Sequence, residues 1–402
     1  MLKYSKMKNT KQLGLIMIVF IILLFSQISF SQTYLIGHKS ITYTDPARSN
    51  RSIPCEIYYP ATSAGTNTPI VQSTFPVIVF GHGFVMGYDA YQSYWDSLVP
   101  HGYIMIFPTT EGSMIPTPNH LSFGLDLAFM VTKIQSEGAL VSSFFYQRIA
   151  STSAILGHSM GGKGSVIAAS NNTNITTTVS FGMANSNSPD AILNYAPNVT
   201  VPAIVFSGAN DCVATPVDNQ IPLYNALGSL CKTFISVTGG SHCQFAESNF
   251  NCNFGEATCS PAPTITRDQQ HAIVLSLLMP YLDYMLKNSA SAEIIYNNML
   301  LISSDITYLK SCSTSGINSK NETANPVFLC FPNPARESVT IKMENLLLPV
   351  TFTIYDLTGR VIFTRELQNF EIETAIDKIE PGSYFISISN ERVKITRKLI
   401  KE

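Results

Sequence analysis

The chain has 402 residues, of which 25 are Lys or Arg and 27 are Asp or Glu, so its formal net charge is only −2. Charged residues make up 13% of the sequence, and no basic block follows the N-terminal region, so the electrostatic footprint of a nucleic-acid-binding protein is missing. The length exceeds that of one ordinary domain and predicts one large domain together with a small one.

The N-terminus has the pattern of a secretory signal peptide. Four lysines among the first 11 residues precede an apolar run over residues 13–25, and small residues alternate at Ser29 and Ser31. The apolar run is short for a membrane span, and no later segment approaches one. We therefore predict a cleaved signal peptide over residues 1–31 and no stable membrane span in the mature protein. An uncleaved N-terminal anchor is the alternative.

From residue 76 onward, short runs of β-branched or aromatic residues alternate with segments of helical periodicity. The predicted strands cover residues 76–80, 103–107, 153–156, 177–181, 203–207 and 233–237. The predicted helices cover residues 89–98, 121–134, 161–169, 221–227 and 267–286. Strands and helices that alternate in this way predict an α/β fold, in which helices cover both faces of a doubly wound, mostly parallel sheet.

The first of these strands runs directly into residues 81–84, which read GHGF. This sequence resembles the H-G turn that follows the third strand of α/β-hydrolases, where a backbone N–H faces the oxygen of a tetrahedral intermediate. We therefore predict that the N–H of Phe84 is one oxyanion donor. His82 belongs to the turn itself and precedes the serine discussed next, so we predict that it braces the turn rather than acting as a base.

Residues 157–161 read GHSMG and lie between a predicted strand and a predicted helix. A G-x-S-x-G sequence in this context is typical of the nucleophile elbow of α/β-hydrolases, in which a strained turn projects the serine Oγ clear of the sheet. Flanking glycines are needed because a Cβ there would clash with the neighbouring strand and helix. We predict that Ser159 is the nucleophile and that the N–H of Met160 is the second oxyanion donor. A purely structural turn is the alternative.

The chain order expected in this fold is serine, then acid, then histidine. After Ser159, the next acid at the end of a predicted strand is Asp211, and the next histidine is His242, in residues 239–242 (GGSH). We predict that His242 is the general base and that Asp211 orients it. Asp218 is the rival for the acid. His271, the only other histidine after Asp211, falls inside a helical pattern.

Export permits the eight cysteines to form disulfides. Cys252 and Cys259 are close enough for a local link, whereas Cys212, Cys231 and Cys243 cluster around the two proposed catalytic loops, and spacing alone does not settle the partners. A zinc site is the rival interpretation, but no C-x-x-C pair supports it. Residues 243–263, rich in Cys, Phe and Asn, form an insertion after the proposed base. This insertion either rims the catalytic cleft or only stabilises the exported protein.

The C-terminal part of the chain changes in character. Residues 313–326 are polar and turn-rich, which predicts a linker between a hydrolase domain (32–312) and a second domain (327–402). Short alternating strands at 339–343, 350–355, 361–365 and 384–389 indicate a small antiparallel β-sandwich. The opening sequence FPNPA (331–335), the central YDLTGR (355–360) and a basic tail follow in order, the tail comprising Lys394, Arg397, Lys398 and Lys401.

These three motifs closely resemble the C-terminal sorting domain recognised by the type IX secretion system of Bacteroidota. The resemblance covers residues 327–402 and implies that the secretion machinery is a partner. It also implies a protein that is secreted or displayed on the cell surface. A carbohydrate-binding or spacer sandwich is the alternative.

Four motifs of the larger domain together resemble bacterial cutinases and PET hydrolases: GHGF at 81–84, GHSMGG at 157–162, IPLY at 221–224 and GGSH at 239–242. The serine motif continues into Lys163, and in this respect it instead resembles the motif of chlorophyllases, which share the catalytic layout. The resemblance covers residues 35–290. It implies a secreted serine carboxylesterase that works through an acyl-enzyme on short- to medium-chain esters, with no metal or organic cofactor.

The resemblance also implies an open cleft, for which we predict Phe84, Tyr88, Met160 and Met183 as substrate-binding residues. Cutinase-like enzymes carry a tryptophan after a later strand, but residues 182–185 read GMAN, and the only tryptophan, Trp95, has the spacing of a core residue on a helix. The missing tryptophan argues against efficient polyester cleavage, so small-molecule and lipid esters are the first candidates and a polyester is a further one. The alternatives are a chlorophyllase-like or lipase-type esterase with a narrow substrate, a serine peptidase, and a non-catalytic surface-binding protein on a hydrolase scaffold.

Overall fold

The computed structural model describes residues 33–185, 191–312, 327–344, 348–390 and 394–402. The predicted signal peptide (1–31) and linker (313–326) lie outside the described residues, so both stay predictions. Within the described ranges, no helix is both long and apolar enough to cross a membrane.

Each strand and helix predicted before residue 313 overlaps an element of the structure. The α-helices are α1 (Gln92–Leu98), α2 (His120–Ala139), α3 (Met160–Asn171), α4 (Gln220–Ala226), α5 (Phe250–Glu256), α6 (Arg267–Lys287) and α7 (Ala290–Ile302). The strands are β1 (Leu35–Asp45), β2 (Arg51–Ala61), β3 (Gly65–Thr66), β4 (Phe75–Gly81), β5 (Ile104–Pro108), β6 (Ile149–His158), β7 (Thr177–Phe181), β8 (Ala203–Gly208), β9 (Cys231–Val237) and β10 (Ile306–Cys312).

Contacts within the chain define two units. The first takes in the described residues up to Ser180 together with Ala246–Phe254, and its strand order is β7-β6-β4-β5-β2-β1-β3. The second takes in the other described residues and contains the order β10-β9-β8. Strand β4 pairs in parallel with β5 and β6, and β8 pairs in parallel with β9. Every residue of β4, β5, β7 and β8 is buried, as expected of parallel strands with both faces covered. The predicted mostly parallel sheet of an α/β-hydrolase is confirmed.

Both units also contain antiparallel strands that the sequence pattern does not predict. Strand β1 pairs antiparallel with β2, β2 pairs antiparallel with β5, and β10 pairs antiparallel with β9. Most side chains of β1 are only half-buried or exposed, and Lys39, Ser40, Thr42 and Thr44 are among them. Such a strand lacks the apolar run on which the other predictions depend. Helix α5, which lies within the insertion, and helix α7 are likewise additional.

The C-terminal domain is antiparallel throughout its described strands. These are β11 (Val327–Phe331), β12 (Ser338–Glu344), β13 (Val350–Tyr355), β14 (Val361–Leu367), β15 (Glu371–Ala375), β16 (Gly382–Ser389) and β17 (Lys394–Lys401). They form one sheet of order β11-β12-β15 and another of order β14-β13-β16-β17, around a buried cluster that includes Val339, Phe352 and Ile386. The predicted sandwich is confirmed. The predicted basic tail is more than a tail, because it forms β17 and pairs along its length with β16.

Candidate active site

Ser159 stands between β6 and α3, as the elbow prediction requires. Its backbone has φ 55° and ψ −115°, a conformation that non-glycine residues seldom adopt and that costs on the order of 1–3 kcal/mol. The helix begins at once, because the N–H of Lys163 donates to the carbonyl of Ser159 at 3.1 Å. The sharp turn therefore holds Ser159 at the end of β6 in the strained geometry typical of a nucleophile.

Two glycines of the elbow have no room for a side chain. A Cβ on Gly157 would lie 2.1 Å from the carbonyl oxygen of Gly161, and a Cβ on Gly161 would lie 2.0 Å from the carbonyl oxygen of Gly81. Both obstacles are backbone atoms, which cannot move aside as a flexible side chain would. The glycines of the G-x-S-x-G sequence thus permit the elbow to pack directly against the oxyanion turn (residues 81–84).

His82 holds the oxyanion turn from one side. Its ring is buried, with Nδ1 2.8 Å from the carbonyl oxygen of Gly83 and Nε2 2.9 Å from that of Thr110. Burial lowers the pKa of His82, although the two carbonyl groups oppose that shift. A neutral imidazole has only one N–H, so it donates a hydrogen bond to one of these two carbonyl oxygens at a time. These contacts are those expected of a residue that braces the turn, and that His82 is not the base stays a prediction.

Tyr91, which the sequence analysis did not select, holds the turn from the other side. Its buried hydroxyl accepts a hydrogen bond from the N–H of Gly83 at 2.7 Å and lies 3.0 Å from Nδ1 of His158, the residue before Ser159. Because the N–H of Gly83 is used in this way, the N–H of Phe84 remains the predicted oxyanion donor. A tyrosine with helical spacing gives no sequence signal of such a contact, since core tyrosines have the same spacing.

Asp211 and His242 form a buried, hydrogen-bonded pair. Nδ1 of His242 lies 2.8 Å from Oδ2 of Asp211, and the two side chains are 3% and 0% exposed, respectively. Oδ1 of Asp211 accepts the N–H groups of Val213 at 3.0 Å and Ala214 at 2.7 Å, so backbone donors orient the carboxylate. When Nδ1–H donates to this carboxylate, the lone pair of a neutral imidazole is on Nε2, the nitrogen that can then accept a proton.

Gly182 covers this pair with backbone. It follows β7 with φ +48°, and a Cβ there would lie 3.2 Å from Nδ1 of His242 and 3.3 Å from Oδ2 of Asp211. The segment in which a cutinase-like tryptophan is missing therefore lies against the Asp–His hydrogen bond. The close approach leaves little room for a side chain at Gly182.

The four predicted substrate-binding residues differ in exposure. Phe84 is 43% exposed and Tyr88 is half-buried, whereas the side chains of Met160 and Met183 are buried. Substrate contact by these residues stays a prediction, with Phe84 the most accessible of the set.

The other acid and histidine considered for catalytic roles, and the only tryptophan, lie in different environments. Asp218 is exposed and accepts a hydrogen bond from the hydroxyl of Thr215, and His271 is a buried residue of α6. Trp95 stacks on Tyr58 with ring centroids 4.2 Å apart and is 7% exposed, which confirms its predicted place in the core.

Two models of known protein families match this chain. The model of the PET hydrolase-like family matches residues 44–260, which is more than half of the chain and contains Ser159, Asp211 and His242. The chain belongs to the PET hydrolase-like family. A search of curated proteins finds no match.

A second family model, of the secretion-system C-terminal sorting domain, matches residues 329–402. This PET hydrolase-like protein is therefore a hydrolase that is secreted or displayed on the cell surface, as predicted. The secretion machinery is the partner that the sorting domain implies. Both matched ranges fall within the predicted domains, whose boundaries stay predictions.

A disulfide fixes the loop that carries Asp211 in this PET hydrolase-like domain. Cys212, the residue after Asp211, is bonded to Cys259 in the insertion. The local link between Cys252 and Cys259 that their spacing would allow is therefore not formed. Proximity in the chain is a poor guide here because Cys252 lies within α5, whereas Cys259 follows that helix.

The remaining cysteines divide into bonded and unbonded ones. Cys231 is bonded to Cys312, which joins the first residue of β9 to the last of β10. Cys243 and Cys252 are also disulfide-bonded. Cys55 and Cys330 are unbonded, and burial raises the pKa of the Cys55 thiol far above its ordinary value, so it stays protonated.

The insertion also contacts the segment that follows the oxyanion turn. The side-chain amide of Asn251 donates to the carbonyl of Val85 at 2.6 Å, and a cavity of about 210 Å³ lies beside this contact. Phe250 and Phe254 of α5 are 80% and 72% exposed, with ring centroids 6.0 Å apart. The insertion thus carries a disulfide-bonded cysteine and also contacts Val85, the residue after Phe84, so neither of the two predicted roles excludes the other.

We expect the double variant Cys212→Ser/Cys259→Ser to have a free energy of unfolding about 2–4 kcal/mol lower than the wild type. The disulfide joins residues 47 positions apart, and without it the unfolded chain regains conformational entropy. Urea unfolding under identical oxidising conditions measures the loss. Cys330→Ala, which removes an unbonded cysteine, is the control. An unchanged free energy in the double variant would contradict the expectation.

Proposed function

We propose that this protein is a serine carboxylic-ester hydrolase, with Ser159 as nucleophile, His242 as general base and Asp211 as the group that orients His242. The observation that carries the proposal is the buried hydrogen bond of 2.8 Å between Asp211 and His242. A strained elbow serine precedes this pair in the chain, in the order that α/β-hydrolases share. Membership of the PET hydrolase-like family supports ester substrates.

In the first half of the proposed reaction, Nε2 of His242 takes the proton of Ser159 Oγ as Oγ attacks the ester carbonyl carbon. The N–H groups of Phe84 and Met160 donate to the carbonyl oxygen as it becomes negatively charged. The N–H of Met160 suits this task because the first N–H groups of a helix have no partner within it. Asp211 stabilises the imidazolium, which then protonates the leaving alcohol as the C–O bond breaks.

In the second half, water replaces the alcohol. His242 accepts a proton from the water molecule as its oxygen attacks the acyl group on Ser159, and the same two N–H groups stabilise the second tetrahedral intermediate. The bond to Ser159 Oγ then breaks, and His242 returns the proton to that oxygen. The acid is released and the enzyme is regenerated, so the scheme needs no metal or organic cofactor.

We propose short- to medium-chain esters as substrates and polyesters as further candidates. The support is apolar surface next to a proposed oxyanion donor. Phe84 carries that donor and is itself exposed, and Phe250 and Phe254 are two further exposed aromatic residues on an insertion that contacts Val85. Exposed apolar surface of this kind suits acyl chains or aromatic ester groups.

The test is hydrolysis of p-nitrophenyl esters from acetyl to palmitoyl by the secreted protein, together with covalent labelling by a p-nitrophenyl alkylphosphonate. We expect the highest kcat/KM with the short and medium chains, and we expect peptide mass spectrometry to locate the phosphonate on Ser159. If no ester is hydrolysed and Ser159 stays unlabelled, the proposal is wrong. A label on another residue would assign the nucleophile elsewhere.

A further inference from the structure

A buried glutamine binds the loop that carries His242 to the first turn of α6. Gln270 is 0% exposed, its Oε1 accepts the N–H of Ser241 at 2.9 Å, and its Nε2 donates to the carbonyl of Ser241 at 3.0 Å. One side chain therefore satisfies both backbone groups of the residue before His242, as a neighbouring β-strand would.

The residue after His242 is bound to the same end of the helix. A guanidinium nitrogen of Arg267 donates to the carbonyl of Cys243. The start of α6 is itself fixed by a capping box, in which the side chains of Thr266 and Gln269 each bond the other residue's backbone N–H. Both neighbours of His242 are therefore attached to one well-defined helix terminus.

The composition of the loop makes this attachment necessary. Gly239, with φ +69°, and Gly240 precede Ser241, and glycines leave the backbone with little stiffness of its own. A Cβ on Gly240 would lie 2.6 Å from Oε1 of Gln270. The second glycine of the GGSH sequence thus allows the amide to approach, and the amide in turn fixes the loop that the glycines loosen.

We propose that Gln270 is a positioning residue for His242 and acts through the backbone of Ser241. The inference rests on the proposed function, because the exact place of His242 matters only if this ring transfers protons. The hydrogen bond from Nδ1 to Asp211 sets one distance of the ring, but a shift of the loop would still move Nε2 relative to the reacting atoms. Misplacement by about 1 Å costs on the order of 10²-fold in rate.

The test compares Gln270→Met with the wild-type secreted protein. Methionine keeps the length of the side chain and removes both hydrogen bonds. We expect kcat for a p-nitrophenyl ester to fall on the order of 10- to 100-fold, with KM changed by less than about two-fold, since the loss concerns the chemical step rather than binding. Phosphonate labelling of Ser159 should slow by the same factor, because it needs the same base.

Gln135→Met is the matched control. The amide of Gln135 also bonds a strand, donating to the carbonyl of Ala150 at 3.0 Å and to the hydroxyl of Ser153 at 2.8 Å. Its loss removes two comparable hydrogen bonds far in sequence from the His242 loop. We expect kcat and the labelling rate of this variant to match the wild type even if its thermal stability falls.

The outcomes distinguish a failure of the positioning role of Gln270 from a failure of the proposed function. A folded Gln270→Met protein that hydrolyses esters and is labelled at wild-type rates would overturn the positioning role, as would an equal loss in Gln135→Met. If Gln270→Met does not fold, Gln270→Asn decides, because its shorter amide cannot reach both groups of Ser241, and wild-type kcat in that variant would overturn the role. If the wild type itself is not labelled on Ser159, the proposed function fails and this inference fails with it.

Discussion

Replacement of Ser159 by alanine is expected to lower kcat for ester hydrolysis by on the order of 10⁶. Alanine has no Oγ to attack the ester, so no acyl-enzyme forms, and only the oxyanion donors and substrate binding contribute to the residual rate. The release of p-nitrophenol by purified variant and wild type, at equal concentration of folded protein, measures the loss. A variant that keeps a tenth or more of the wild-type rate would show that another group is the nucleophile.

Because the backbone at Ser159 is strained, Ser159→Gly is a useful second variant in the same experiment. Alanine retains a Cβ and therefore the cost of φ 55° at this position, whereas glycine adopts such a conformation without strain. We expect Ser159→Gly to be as inactive as Ser159→Ala but more stable by about 1 kcal/mol, after allowance for the greater flexibility of glycine in the unfolded chain. A glycine variant less stable than the alanine variant would contradict the assignment of strain.

Replacement of Asp211 by asparagine is expected to lower kcat by on the order of 10⁴. The Oδ1 of asparagine still accepts the N–H groups of Val213 and Ala214, so the loop keeps its shape. The amide nitrogen then donates to Nδ1 of His242, which forces the ring proton onto Nε2, the nitrogen that must accept the proton of Ser159. Steady-state kinetics with a short-chain p-nitrophenyl ester measure the effect, and circular dichroism confirms that the variant is folded.

Asp218→Asn is the matched control for this substitution. Asp218 is seven positions further along the chain, is exposed and bonds the hydroxyl of Thr215. We expect its conversion to asparagine to leave kcat within about two-fold of the wild type, as for most surface substitutions. The roles of the two acids would be reversed if Asp218→Asn proved inactive and Asp211→Asn active.

The parallel core was predictable from sequence because of how its strands are buried. Strands β4, β5, β7 and β8 are buried throughout and rich in β-branched or aromatic residues, and each overlaps a prediction. Strand β1 is half-exposed and polar, and its pairing depends on β2, with which it is in register from Leu35 to Asp45. Such a strand is defined by its partner rather than by its own composition.

Some residues of the candidate site were likewise predictable from sequence and others were not. Chain order and strand ends were enough to select Asp211 and His242, which the structure joins by a hydrogen bond. The catalytic roles of Ser159, Asp211 and His242, and of the two oxyanion donors, stay predictions. Tyr91 and Gln270 were missed because each contacts the backbone of a residue in another element, Gly83 at 8 positions and Ser241 at 29 positions along the chain. No local pattern encodes such a contact.

Strand β10 lies at the edge of its sheet, pairs antiparallel with β9 and ends at Cys312. A newly cut polypeptide unravels from its end, because terminal residues open at the lowest free-energy cost. At Cys312 the chain is joined covalently to Cys231 in β9. A protease that removed the sorting domain anywhere beyond Cys312 would therefore leave an end that cannot peel away from the sheet. The disulfide therefore keeps the last strand of the hydrolase fastened to its neighbour whether or not the export domain is kept.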